Sequence, residues 1–308
     1  MTGRICGTGS YIPEKVMDND ALSRIVDTSD EWIRSRTGIQ KRHLAGEKES
    51  VAFMAGEAAE RALRNAGLDG SSVEMVLAAT MSAEQAMPGI AAQVQQRIGA
   101  GGAASFDINS ACTGFLAALN TAQTYIAAGI CRRILVVGAE KLSDLVDWKD
   151  RNSCILFGDG AGAVVLEAEP ENTYIQVSHS EGEKGQALVS PKNGFIQMDG
   201  RAVFEFAVSR VPEVIREVLE KGGVEKEEVD FFLLHQANRR IITAAARRLG
   251  IGEEKFPMNM EEYGNTSAAS IPILLDEQNR SGKLKRGNLL VLSGFGGGLT
   301  YGASLLRW

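Results

Sequence analysis

The chain has 308 residues, of which 44% are hydrophobic and 23% charged, a globular balance that excludes a disordered or collagen-like protein. Its formal net charge of −6 argues against non-specific nucleic-acid binding, and no apolar run approaches the roughly 20 residues of a membrane helix. The length fits two domains or one large α/β unit, and an excess of glycine (34 residues) points to many close approaches of backbone.

The opening MTGRICGTGSYIPEKV lacks a signal-peptide core, so a soluble, cytoplasmic protein is expected. Its Gly7-Thr8-Gly9 lacks the third glycine of a dinucleotide loop. Glu60 to Thr80 reads as an amphipathic helix, a stop at Gly67, a short polar turn and the buried strand MVLAAT. In FDINSACTGFLAAL a strand ends near Ile108 and a helix begins around Ser110 to Thr113. Phe115, Leu116, Leu119, Ala122 and Ile126 follow helical spacing toward Gly129, and Ala117 and Ala118 keep the other faces slim. Such a helix can be covered on nearly all sides. The strands RILVVGAE and AVVLEA follow, with GDGAGA at 158–163 again failing the dinucleotide pattern. The polar segment Glu167 to Tyr174, containing Pro170, is the expected join between halves.

Beyond it, Arg216 to Gln236 repeats the order helix, glycine stop, polar turn and buried strand, ending FFLLH at His235. A helix follows, with Ile242, Ala245, Ala246 and Leu249 as its core stripe and Arg240 and Arg247 opposite, beside Arg248. That basic face either docks an acidic partner or is simply solvated. Asn265 opens another small-residue helix ending at Gly282, LLVLSG forms a strand, and GFGGG (294–298) follows.

Two echoes join the halves. Leu63, Gly67, Val73 and Leu77 match Leu219, Gly223, Val229 and Leu233 at a spacing of 156, while Cys112 and Gly129 match Asn265 and Gly282 at 153. Continuous apolar strands suit burial on both faces beneath helices. The expectation is a layered α/β fold of two similar halves, 1–168 and 169–308, with a site at their seam.

Cys6, Cys112, Cys131 and Cys154 form no CxxC pair, and the three histidines (His43, His179, His235) are scattered. Neither a metal site nor a disulfide framework is expected, and no P-loop occurs. Cys112 at a helix start would meet free N–H groups that favour thiolate, although a buried structural cysteine is the plain alternative. His235 at a strand end would face a ligand crevice. Asn265 alone reads as an N-cap. The GFGGG run either aims an N–H at an oxyanion or makes an ordinary turn.

Taken together, DTSDEWIRSRTGI (27–39), SACTGF, FGDGAGAVVL, HQANRRI, YGNTSAAS and GFGGG, in this order, closely resemble the β-ketoacyl-acyl-carrier-protein synthase III family of thiolase-fold condensing enzymes. The resemblance implies a duplicated, five-layer αβαβα architecture and a cytoplasmic homodimer that needs no cofactor beyond its coenzyme A thioester substrate. It implies condensation of an acyl-CoA primer with malonyl-acyl-carrier protein, initiating type II fatty acid synthesis. Cys112 would carry the acyl group, and His235 and Asn265 would hydrogen-bond the malonyl thioester. The N–H groups of Cys112 and Gly297 would form an oxyanion hole, and Phe295 would keep the site dry. Trp32 would stack on adenine, with Arg36 and Arg151 near the phosphates and Asn238 along the pantetheine arm. Met87, Leu142 and Phe157 would wall the acyl pocket, and Gln236, Arg240 and Arg247 would contact the carrier protein. Asn152 replaces a glycine common beside Arg151, and the stretch from His179 to Gly200 is shorter than in some relatives.

Within the fold, a thiolase would carry a second late cysteine, whereas Cys154 is the last here, and a chain-extending synthase would use histidine where Asn265 stands. Plant-type polyketide synthases usually run longer and carry proline in the terminal glycine loop. A secondary-metabolite condensing enzyme with the same three residues, or a non-catalytic acyl-CoA-binding scaffold, remains as the alternative.

Overall fold

The continuous apolar runs are strands buried on both faces. In Met75–Ala79 the side chains of Leu77 and Ala79 join one core while Val76 and Ala78 join another, the period of two that a covered strand imposes. The computed structural model describes every residue except Glu171, which falls in the predicted join and lies outside the described residues.

One sheet orders its strands Thr2–Tyr11, Gly160–Glu169, Arg133–Glu140, Met75–Ala79 and Ala104–Ile108. The second orders Phe231–Leu234, Leu289–Gly296, Thr300–Arg307 and Tyr174–Ser180. Parallel pairs occupy one side of each sheet and antiparallel pairs the other. Helices Gly114–Ala127 and Ser270–Arg280 lie between the sheets. Their core joins Phe115, Leu119 and Leu274 to Val136 and Leu166 of one sheet and Leu290 and Leu292 of the other. Val51–Ala66 and Ile90–Arg97 cover the first sheet outside, and Gly200–Gly222 with Arg239–Leu249 cover the second. This is the five-layer thiolase-like arrangement.

The glycines of the opening strand serve packing. A Cβ on Gly7 would lie 2.4 Å from Ala62 O and one on Gly9 2.4 Å from Ala58 O, so strand and helix backbones touch there.

The spacing of 156 runs further than the sequence echoes implied. Gly67 and Gly223 both cap helices in the left-handed conformation, and among the described residues Ala111 (φ 44°) and Ser267 (φ 48°) are the non-glycine residues with positive φ. Each of that second pair opens a one-turn 3-10 segment before a central helix. Cys112 therefore corresponds to Ala268, and Asn265 to Asn109, which corrects the pairing of Cys112 with Asn265. The second central helix has 11 residues against 14 in the first, so its terminal glycine matches at 153 although its start matches at 156.

Candidate active site

Cys112, His235 and Asn265 reach one cavity of about 820 Å³, whose wall also includes Leu142, Phe157, Phe295 and Gly296. Their elements come from both sheets and both central helices, so the cavity sits where the two halves of the layered core meet.

Cys112 occupies the turn Ala111–Thr113, ahead of the helix starting at Gly114. Its predecessor Ala111 holds φ 44°, a conformation costing about 1–3 kcal/mol that persists only where the surroundings impose it. The imposing neighbour is the glycine loop: a Cβ on Gly296 would come 2.8 Å from Cys112 Cβ and 2.9 Å from its nitrogen, whereas one on Gly297 would meet Ala111 Cβ at 3.4 Å. Gly296, which the sequence did not single out, is thus the residue pressed against the sulfur-bearing turn. The expected thiolate is corrected as well. Burial, against a lowering by the Ser267 hydroxyl and with a lesser push from the Glu140 charge, brings the thiol up to about 12. Desolvation outweighs the helix start, and the resting sulfur is a neutral thiol.

His235 continues the parallel pairing of its strand, its N–H donating to Ser293 O at 2.8 Å. The ring is 2% exposed and packs edge-on against Phe295, centroids 5.3 Å apart. Burial pulls its pKa down to about 3, so the imidazole is neutral. Nδ1 lies 2.7 Å from Ser270 Oγ, which also accepts the Gln236 N–H at 3.4 Å. With one lone pair engaged by that N–H, the Ser270 hydroxyl is placed to donate to Nδ1, the tautomer in which Nε2 carries hydrogen. Ser270 lies in YGNTSAAS, and its aim at His235 depends on packing across 35 residues of sequence.

Asn265 is held by its backbone, with N donating to Leu156 O at 2.8 Å and O accepting from Gly158 N at 3.0 Å. Its Oδ1 accepts the Ser267 N–H at 2.9 Å, which leaves the Nδ2 amide as the donor available to the cavity. The wall thus presents a thiol and two neutral N–H donors, a set suited to covalent acyl transfer and to holding a carbonyl as it gains negative charge.

The mouth carries Arg36, Asn238 and Arg240. Helix Asp30–Thr37 presents Trp32 beside it, with the Arg36 and Arg151 guanidiniums 5.3 and 4.8 Å from the indole centroid. Asn152 binds Asp150 Oδ1 through its N–H and its amide at 3.0 and 3.1 Å, building the turn after Arg151's neighbour. Asn238 caps the arginine helix and donates to Arg36 O at 3.1 Å, tying the two mouth helices together. Arg240 stacks on Phe204 at 4.8 Å, and both Arg240 and Arg247 are exposed.

Gln236 departs from its expected place, and Met87 lies outside this chain's own cavity. Gln236 is 1% exposed. Its Nε2 donates to Leu234 O at 2.8 Å and its Oε1 accepts from Asn259 N at 3.0 Å, so it braces the strand end and offers no docking contact. Met87 is 82% exposed and is not among the residues that line this chain's cavity.

Residues 106–183 match the family model described as 3-oxoacyl-[acyl-carrier-protein (ACP)] synthase III, and residues 219–308 match its C-terminal model. The chain is 48% identical to the β-ketoacyl-[acyl-carrier-protein] synthase III of Aquifex aeolicus over all of both chains. It is 45% identical to synthase III 1 of Bacillus anthracis, over 99% of this chain and 98% of that one. The crystal structure of the Aquifex aeolicus protein superposes with a TM-score of 0.97, covering 99% of this chain and 100% of that one. The priming β-ketosynthase of the R1128 polyketide pathway superposes at 0.94 with 35% identity, over 99% and 96%.

Proposed function

Because the chain belongs to the β-ketoacyl-[acyl-carrier-protein] synthase III family, we propose that it joins an acyl-CoA primer to malonyl-acyl-carrier protein, with loss of carbon dioxide, as the initiating step of fatty acid synthesis. The observation that carries the residue roles is the convergence of a thiol and two neutral N–H donors on one cavity. In the first half-reaction the Cys112 sulfur attacks the thioester carbonyl, and the N–H groups of Cys112 and Gly297 receive the oxyanion before coenzyme A leaves. In the second, His235 Nε2–H and Asn265 Nδ2–H hold the malonyl thioester oxygen while carbon dioxide departs. The resulting carbanion attacks the Cys112 thioester. A neutral imidazole suits this role, since it donates without giving up a full proton, and Phe295 keeps water from quenching the carbanion.

Trp32 receives the adenine, with Arg36 and Arg151 answering the phosphates and Asn238 lying along the pantetheine arm. Leu142 and Phe157 bound the primer, and Arg240 and Arg247 face the acidic carrier protein. The free sheet edge Ala104–Ile108, with Phe106 38% and Met87 82% exposed, is the surface on which we expect a second copy to pair, in a cytoplasmic homodimer. Among the described residues no helix is long and apolar enough to cross a membrane.

The test separates the half-reactions. His235→Ala and Asn265→Ala are expected to lose carbon dioxide release from malonyl-acyl-carrier protein by about 100-fold or more while still accepting the primer on Cys112. Equal loss of both half-reactions would reject these roles.

A further inference from the structure

Beneath the cavity wall formed by Met81 and Ser267 lies a carboxylate that the reaction described above does not use. Glu140 ends the strand Arg133–Glu140 and is 0% exposed. Its Oε2 accepts from the Ser82 hydroxyl at 2.5 Å, the Met81 N–H at 3.1 Å and the Thr80 hydroxyl at 3.3 Å. Its Oε1 has no hydrogen-bond partner among the described residues, and neither does the buried Ser267 Oγ. The turn Ser267–Ala269 is wedged between the Cys112 turn and this strand: a Cβ on Gly138 would lie 2.3 Å from Ala268 O. Ser267 lines the substrate cavity together with Cys112, and its turn packs on both the Cys112 turn and the strand that ends at Glu140, so two unpartnered buried oxygens lie on elements packed beside the thiol.

Nothing cationic neutralises Glu140 among the described residues. Lys141 pairs with Asp144 at 3.3 Å, and Asp159, just ahead of the strand Gly160–Glu169, is taken by the Ala45 N–H at 2.7 Å and the Ser143 hydroxyl at 2.6 Å. The Glu140 charge opposes ionisation of the Cys112 thiol on the adjacent turn. Such an arrangement costs stability as a structural device, because a buried carboxylate is cheaper replaced by an apolar or amide side chain.

We propose that Glu140, acting through the Ser267 hydroxyl, takes the Cys112 proton during acyl loading and returns it when the thiol is regenerated. This deepens the acyltransferase reading and rests on it. As the sulfur–carbonyl carbon bond forms, Ser267 receives the thiol proton and passes its own to the carboxylate. Coenzyme A leaves as thiolate and is protonated from water. During the acyl-enzyme stage Glu140 is a neutral acid. When the carbanion displaces Cys112 from its thioester, the departing thiolate recovers the proton along the same path. His235 is then free to remain a neutral donor throughout, which its depressed pKa favours.

The experiment measures the acylation rate of Cys112 by acetyl-CoA, by intact mass, across about pH 5.5 to 9 in wild-type, Glu140→Gln and Ser267→Ala proteins. Burial holds Glu140 at about 7, so the wild-type rate is expected to rise through that region. Both variants should lose roughly 10- to 100-fold at neutral pH and climb only as the thiol itself ionises at higher pH. Ser267→Ala is the variant to rely on if Glu140→Gln does not fold, since Ala111 shows that alanine adopts the same φ in the matching turn. Wild-type rates and profile in a folded variant would overturn the relay, as would a loss equal at every pH that keeps the wild-type profile. Absence of acylation in the wild-type protein would instead reject the underlying function.

Discussion

Ser270 Oγ lies 2.7 Å from His235 Nδ1, and this contact decides which nitrogen of the imidazole presents hydrogen to the cavity. Among the described residues the Ser270 hydroxyl is the side chain within hydrogen-bond reach of the ring, and it orients the imidazole.

Ser270→Ala should therefore free the tautomer and the ring angle without removing the imidazole. Carbon dioxide release from malonyl-acyl-carrier protein is expected to fall about 10-fold or more, with loading of Cys112 largely kept. Wild-type decarboxylation in this variant would show that the contact has no directing role.

Trp32 is stacked by two guanidiniums in the structure, at 5.3 and 4.8 Å, so its face is already tuned to cationic and planar partners. Trp32→Ala is expected to raise KM for acyl-CoA about 10-fold while kcat changes little, the signature of lost uniform binding. Steady-state kinetics with varied acyl-CoA checks this; a fall in kcat at constant KM would contradict it.

Gly296→Ala places a methyl 2.8 Å from Cys112 Cβ and 2.9 Å from its backbone nitrogen. Neither atom is the end of a flexible side chain, so the nucleophile's turn must move. Overpacking of this kind costs about 1–3 kcal/mol, measurable by denaturant unfolding. The loading rate should drop further, on the order of 100-fold, because the reacting sulfur is displaced.

Two buried groups set opposing pH dependences of stability. Burial lowers His235 from 6.5 to about 3; between those values the unfolded chain holds a proton the folded chain refuses, and stability is lost as pH falls. Burial raises Glu140 from 4.5 to about 7; there the folded chain holds the extra proton, and stability is lost as pH rises. The two oppose each other around pH 5 to 6. Glu140→Gln removes one side, so its unfolding free energy should rise across that unit by about 1.4 kcal/mol more than the wild-type value does. Parallel curves from denaturant titrations at the two pH values would contradict the assignment.

The fold was legible where burial is symmetric. Strands such as Met75–Ala79 are covered on both sides and read as unbroken apolar runs, and the helix caps Gly67 and Gly223 repeated at a fixed spacing. Tyr174–Ser180 left no such trace, because Val177 is its only fully buried residue. In the site, Cys112, His235 and Asn265 were visible because each sits at a helix start or strand end. Ser270 and Ser267 were not, since hydroxyls in a small-residue helix start look like ordinary caps until a distant element packs against them. Gln236 was placed on the docking surface by the resemblance alone, whereas its amide folds back onto Leu234 O. The thiolate expectation failed on magnitude: the helix-start effect is smaller than the cost of burying charge.

The most direct measurement is the intact mass of the protein after mixing with acetyl-CoA, followed by peptide mapping. The account predicts one added acetyl group, located on Cys112, absent from Cys112→Ala and discharged when malonyl-acyl-carrier protein is supplied. An unmodified protein that still binds coenzyme A, or an acetyl group on another residue, would contradict it.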